Sequence, residues 1–267
     1  MQQSTYVISG GKEGKSRLNI IANVLEPYTT ELLLNAGIKN ASSFLDAGCG
    51  GGNVTMLVTK LTDKKCKITG IDFDDSILKL AKEDAERESL YNIQYLHKNI
   101  YEIDFENEFD FVYTRFLLSH LKEPLEAIKK MKNAAKPGGK IIAEDIQLSK
   151  QFSYPVNDAF ERYTKLYPEA VKRKGGNAEL GSLLSKLFTE AGLKIAAFDI
   201  IQPVCVSGEG KRIAYETMDK IKSTLIEEKI ETSETINEIL QGLKELADDD
   251  NSLVSIPAIY RITAVKN

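Results

Sequence analysis

Apolar positions along this chain follow two different periods. From residue 16 to 36 they recur at helical spacing: Leu18, Ile21, Ala22 and Leu25 before Pro27, then Leu32, Leu33 and Ala36 after it. Gly37 stands where a helix C-cap belongs. Residues 42–47 (Ser-Ser-Phe-Leu-Asp-Ala) form a short apolar run ending in glycines, which predicts a strand. Further strands are predicted at 66–72, 93–97, 109–114 and 140–144, with helices at 54–61, 75–88 and 124–135 between them. Pro137-Gly138-Gly139 reads as the turn between the last of these helices and the fifth strand. Strands alternating with helices over about 100 residues mean βαβ units, a parallel sheet and right-handed crossovers.

After Asp145 the pattern changes. Residues 146–180 are polar and aromatic, and residues 181–191 predict an apolar helix ending at Gly192. A sixth strand is expected at 193–201. Residues 209–247 are charged and helical, and the alternating run 255–265 predicts a seventh strand. There is no internal repeat and no low-complexity linker. The expectation is one domain over 1–267: an N-terminal helical lid (1–40), a binding core (41–146), an insertion covering the substrate (147–180), and the remaining helices with the last two strands (181–267).

Composition narrows the classes. Lys and Arg number 35 against 39 Asp and Glu, a net charge of −4, which argues against a surface built for phosphate backbones or anionic lipid. A nucleic-acid or membrane partner is therefore not expected. Three separated cysteines, Cys49, Cys66 and Cys205, suit a reducing compartment, and two histidines make no zinc site, so no metal is expected. The N-terminus has no long apolar run, and no stretch approaches 18 apolar residues, so neither signal peptide nor spanning helix is expected. A cytoplasmic protein is the expectation.

The sharpest local signal is Asp46-Ala47-Gly48-Cys49-Gly50-Gly51-Gly52-Asn53. Glycine permits the tight turn and lets a ligand approach the backbone. As Gly-x-Gly-x-x-Gly, the dinucleotide pattern, the third position fails at Asn53; as Asp-x-Gly-x-Gly-x-Gly every position fits. An acid ahead of the first glycine suits a cationic ligand portion rather than a pyrophosphate. Asp72 ends the second strand, where a carboxylate can accept both ribose hydroxyls, and Phe73 beside it offers a face to an adenine.

In these motifs, together with Lys98-Asn99-Ile100, Glu108–Arg115 and Lys136–Ile142, the chain resembles the Rossmann-like (class I) S-adenosylmethionine-dependent methyltransferases. The stretch 110–121 is most similar to the small-molecule branch of ubiquinone and menaquinone C-methyltransferases. The resemblance covers about residues 42–146 and the last two strands. It implies an α/β fold: a seven-stranded, mostly parallel sheet with helices on both faces, an N-terminal helical segment and a helical insertion after the fifth strand. It implies S-adenosylmethionine as cofactor, with S-adenosylhomocysteine as product. Gly48 and Gly50, with Ala47, pass under the methionine moiety and Asp46 lies near its amino group. Asp72 holds the ribose, Phe73 packs on the adenine, and Asn99 with Ile100 meets the adenine edge, the Asn carbonyl taking the exocyclic amine. Arg115 either pairs with the cofactor carboxylate or makes a salt bridge on the rim. Tyr6 and Arg17 either reach the methionine end or belong to a surface arm.

Methyl transfer is an in-line displacement that asks mainly for positioning and exclusion of water. A base is needed only for a weakly nucleophilic acceptor. The candidates are His120, which otherwise is a half-buried packing histidine, Glu144 with Asp145 at the end of the fifth strand, and Tyr154. Phe160, Tyr163 and Tyr167 share a helix face and read first as core. Tyr154 precedes Pro155, is therefore biased to extended backbone, and is the aromatic expected to touch the acceptor. The leading expectation is a methyltransferase for a small organic acceptor, as monomer or homodimer. A NAD-dependent oxidoreductase and a non-catalytic nucleoside-binding relative are the alternatives.

Overall fold

The computed structural model describes residues 11–267. Helix α1 (Gly11–Asn35) leads into strand β1 (Ser43–Ala47), α2 (Asn53–Leu61), β2 (Lys67–Asp72), α3 (Asp75–Arg87), β3 (Ile93–His97), β4 (Phe109–Arg115), α4 (Pro124–Ala134) and β5 (Ala135–Gln147). There follow β6 (Ser153–Tyr154), α5 (Asp158–Arg173), α6 (Leu184–Glu190), β7 (Lys194–Ile201), β8 (Val204–Cys205), α7 (Ile213–Glu227), α8 (Ser233–Asp248), β9 (Leu253–Ser255) and β10 (Ala258–Val265). Seven strands form one sheet in the order β3-β2-β1-β4-β5-β10-β7. β1 to β5 pair in parallel, and β10 runs antiparallel between β5 and β7. Strand order reverses between β1 and β4, which opens a crevice at their carboxyl ends.

Alternation along the strands dresses both faces. Phe44, Tyr113 and Ile142 pack with Leu33 of α1 and Val54 and Val58 of α2. Their sequence neighbours Leu45, Val112, Ile141 and Ala143 pack on the other face with Ile128 of α4 and Phe188 of α6. A third cluster joins α5, α7 and α8 to Ile21 and Leu25 of α1 and forms a helical layer over the crevice.

Two expectations about elements are corrected and a third is made more specific. Pro137-Gly138-Gly139 lies inside β5, which starts at Ala135, because Gly138 N–H donates to Lys266 O (2.8 Å) and Lys266 N–H donates to Gly139 O (3.0 Å). The run expected as one last strand is divided at Ile256-Pro257: β9 belongs to a small sheet, β6-β9-β8, and only β10 joins the main one. The helical stretch 209–247 is two helices, and Thr232 caps the second by accepting from Thr235 N–H. Pro27, by contrast, does not divide the first helix.

Candidate functional site

In the loop between β1 and α2, three glycines have left-handed backbone, with φ of 74° at Gly48, 51° at Gly50 and 81° at Gly52, where a side chain is strained. Gly48 and Cys49 N–H both donate to Ile71 O on β2 (2.8 and 2.9 Å). Asp72 braces the same loop, its carboxylate accepting from Gly50 N–H and Asp74 N–H (both 2.9 Å). A carboxylate offers about four acceptor positions, so two remain for a ligand. Burial raises the pKa of Asp72 above its ordinary value.

Asp46, at the tip of β1, is buried, and one of its carboxylate oxygens has no hydrogen-bond partner among the described residues. Desolvation pushes its pKa up to about 7 against the opposing pull of Arg115, while the nearby Asp72 adds to the rise. A buried, under-satisfied carboxyl of this kind fits a cationic group. Burial holds the neighbouring Cys49 thiol well above its usual range, so it is no nucleophile.

Arg115 ends β4 and is fixed from beneath. Its guanidinium donates to Thr29 Oγ1 (3.2 Å), and that hydroxyl donates to Glu144 (2.9 Å), which also accepts from the Tyr113 hydroxyl. Glu144 is thus sealed under α1 and away from the cavity, a correction to its expected role as base. Asp145 is equally buried; it accepts from Ser119 N–H (3.0 Å), and desolvation pushes its pKa up to about 6. Tyr154 is 66% exposed, paired with Leu253 in the small sheet, and does not reach the cavity, which corrects its expected contact with the acceptor. Tyr6 lies outside the described residues.

A cavity of about 1380 Å³ runs along the carboxyl edge of the sheet. Asp46, Gly48, Gly50, Asp72, Phe73, Asn99, Ile100 and Arg115 line it; Ala47, fully buried beside Ile71, does not. Phe73 is half exposed and tilts against His97, whose Nε2 lies 2.8 Å from Phe73 O. The Asn99 carbonyl expected to meet an adenine amine instead accepts from Tyr101 N–H (3.0 Å), capping a short turn. The other end of the cavity lies under α5 and α7, lined by Arg17, His120, Tyr163, Tyr167 and Thr217. Arg17 Nε donates to Thr217 Oγ1 (2.9 Å) there. Burial, with Arg17 nearby, lowers the His120 pKa to about 4, which leaves a neutral imidazole at pH 7.

Tyr163 and Tyr167 are core residues and cavity wall at once. Thr217 and Thr224 also line the cavity, and no sequence motif marks them. The available signal was two polar positions, seven apart, on the face of α7 that carries Ile213, Met218, Ile221 and Leu225.

A glycine loop under a cavity at the switch point of a parallel sheet, with acids at two successive strand tips, defines a nucleoside-binding α/β fold. A family model described as Methyltransferase domain matches residues 38–253, and the chain belongs to that family. It is 30% identical over 141 residues to the demethylmenaquinone methyltransferase of Staphylococcus aureus, a match covering 52% of this chain and 55% of that one. The chain thus matches only about half the length of the curated relatives found. Among solved structures it resembles a protein of Bacillus halodurans C-125 (TM-score 0.60, 20% identity, 89% of this chain and 97% of that one). It also resembles a SAM-dependent methyltransferase from Aquifex aeolicus (TM-score 0.53, 17% identity, 89% of each chain). A third likeness is to the geranyl diphosphate C-methyltransferase of Streptomyces coelicolor A3(2) (TM-score 0.52, 10% identity, 93% of this chain and 82% of that one), solved with S-adenosyl-L-homocysteine. None of the described helices is long and apolar enough to cross a membrane.

Proposed function

We propose that this protein transfers a methyl group from S-adenosylmethionine to a small organic acceptor. The observation that carries the reading is a continuous cavity that joins the glycine loop and the two strand-tip acids to a separate aromatic end. At about 1380 Å³ it exceeds the roughly 300–1,000 Å³ of a site for one drug-sized ligand, as a two-substrate reaction requires.

When bound, the cofactor supplies a methyl group on a sulfonium, which any aligned nucleophile can displace. The chain's residues bind, orient and shield. Asp46 takes the amino group of the methionine moiety, and Gly48 and Gly50 give it a floor without side chains. Arg115, held by Thr29 and Glu144, takes the carboxylate. Asp72 accepts from the ribose hydroxyls, Phe73 covers the adenine, and Asn99 with Ile100 borders its edge. The helical layer of α1, α5 and α7 keeps water from the acceptor end. His120 is the one of the three expected catalytic side chains that lines the cavity, and as a neutral imidazole it can take a proton from the acceptor.

Calorimetric titration of the purified chain with S-adenosylhomocysteine and with NADH tests the reading. Stoichiometric binding of the first and none of the second is expected. The reverse result makes the protein a nicotinamide enzyme, and labelled methyl transfer to a panel of small acceptors then separates an enzyme from a nucleoside-binding relative.

A further inference from the structure

The carboxylates that line the cavity are Asp46, Asp72, Asp74 and Asp75, all at the tips of β1 and β2 or just beyond them. Among the described residues no carboxylate lines the end under α5 and α7, although the chain as a whole is net acidic and the buried Asp145 lies near enough to Tyr167 to raise its pKa. The charged lining of that end is Arg17, Lys122, Lys174 and Lys220. Lys174 faces Glu228 at 3.8 Å and Lys220 pairs with Asp219 at 3.1 Å. Arg17 is different: among the described residues its one hydrogen bond is from Nε to Thr217, and no carboxylate pairs with it. Among the described residues the remaining guanidinium donors have no partner.

Beside Arg17 stands Tyr167. It is 97% buried (3% exposed), lines the cavity, and its hydroxyl has no hydrogen-bond partner among the described residues. Because the residue lines the cavity, that O–H is available as a donor to a ligand there. Tyr163, next along the helix, is already engaged with the Thr217 side chain. Burial raises both phenols above their ordinary pKa, so each remains an O–H donor rather than an anion. Apolar surface from Ile146, Leu148, Ile213 and Ile256 borders the same end.

The geometry points to an acceptor with an apolar body and an oxyanion, carboxylate or phosphate, received by Arg17 and the Tyr167 hydroxyl. The inference rests on the methyltransferase reading and names the substrate class of that site. A guanidinium with an adjacent phenol O–H gives parallel donors to a carboxylate or phosphate. The same guanidinium repels an ammonium, so simple amines are disfavoured acceptors. The two arginines are held by different elements of the fold. Arg115 sits by Asp46, whereas Arg17 is tied to α7 through Thr217.

The test uses the whole chain saturated with S-adenosylhomocysteine and four eight-carbon probes: octanoate, octyl phosphate, octylamine and octanol. Calorimetry should show at least one of the two anions binding on the order of tenfold tighter than amine and alcohol. Which anion prevails identifies carboxylate or phosphate as the source. Arg17→Gln should lose that margin while S-adenosylhomocysteine affinity stays within about threefold, and Tyr167→Phe, which keeps the buried ring, should weaken the same anion alone. Amine or alcohol binding as tightly as the anions overturns the inference. So does binding of no probe by a protein that still takes S-adenosylhomocysteine, or loss of S-adenosylhomocysteine in Arg17→Gln matching the loss of anion. A wild-type chain that does not bind S-adenosylhomocysteine sinks the methyltransferase reading instead.

Discussion

Asp46→Asn puts the central electrostatic assignment at risk in two measurements at once. The wild-type carboxyl is carried from its ordinary 3.8 to about 7 by burial, with Arg115 opposing and Asp72 assisting. Its folded pKa is raised, so the stability it contributes is complete below about pH 4 and is lost as the pH rises through 7. Once ionised in the free protein it costs folding on the order of 4 kcal/mol. The amide removes that cost and keeps an oxygen for the Thr55 backbone N–H. It also places a buried NH₂ without an acceptor where a carboxylate oxygen lacks a partner, at about 1–3 kcal/mol. The variant should therefore be the more stable protein at pH 8, by about 1–3 kcal/mol, and the less stable one at pH 4, where the wild-type carboxyl costs folding only about half a kcal/mol. In a chain of this size the difference at pH 8 is a melting shift of roughly 2–6 °C, and it changes sign between the two pH values. Binding should move the other way. The wild-type carboxyl is about 9% ionised at pH 6 and half ionised at pH 7, so affinity for the ammonium of S-adenosylhomocysteine should rise about fivefold across that interval. The variant should bind more weakly at pH 7 and show no such rise. Calorimetry at pH 6 and pH 7, with thermal melts of the free proteins at pH 4 and pH 8, reads both effects. A variant that keeps wild-type affinity and its pH dependence would show that Asp46 does not face the amino group.

Asp72→Ala removes two charge-assisted bonds to ribose and the brace on Gly50, and should lower S-adenosylhomocysteine affinity by on the order of 2–4 kcal/mol in a folded protein; unchanged affinity by calorimetry refutes the ribose assignment. Tyr154→Ala, at an exposed position in the small sheet, should leave cofactor affinity within about threefold and turnover unchanged, and a large fall in turnover would bring β6 back into the acceptor site. His120 loses its lone pair only as the pH falls through about 4, so any limb of the rate profile due to this base lies there rather than near 6.5. His120→Gln should abolish that limb and lower kcat with S-adenosylhomocysteine affinity nearly intact, and a profile that keeps the limb removes His120 from the chemistry.

Sequence pattern alone was enough to specify the parallel sheet and the glycine-loop end of the cavity. Alternating strands and helices specify parallel pairing, and the glycine loop and Asp72 sit on adjacent strand tips in any fold of that kind, because the crevice always lies at the carboxyl edge. Local chemistry suffices there: Gly48, Gly50 and Gly52 take left-handed backbone that other residues resist. The end under α5 and α7 depends on long-range packing. Glu144 and Arg115 stand opposite each other in register, yet one side chain is buried under α1 and the other lines the cavity, a difference that no spacing reveals. Tyr154 carried the right local signal for an extended aromatic, but its strand pairs with β9, about 100 residues later in the chain. Arg17 meets Thr217 across 200 residues because α1 packs on α7, and Tyr163 and Tyr167 become cavity wall because α5 packs there too. Helix periodicity says which face of each helix is buried; which helices share that burial, and what space is left between them, is settled only when non-local packing is complete.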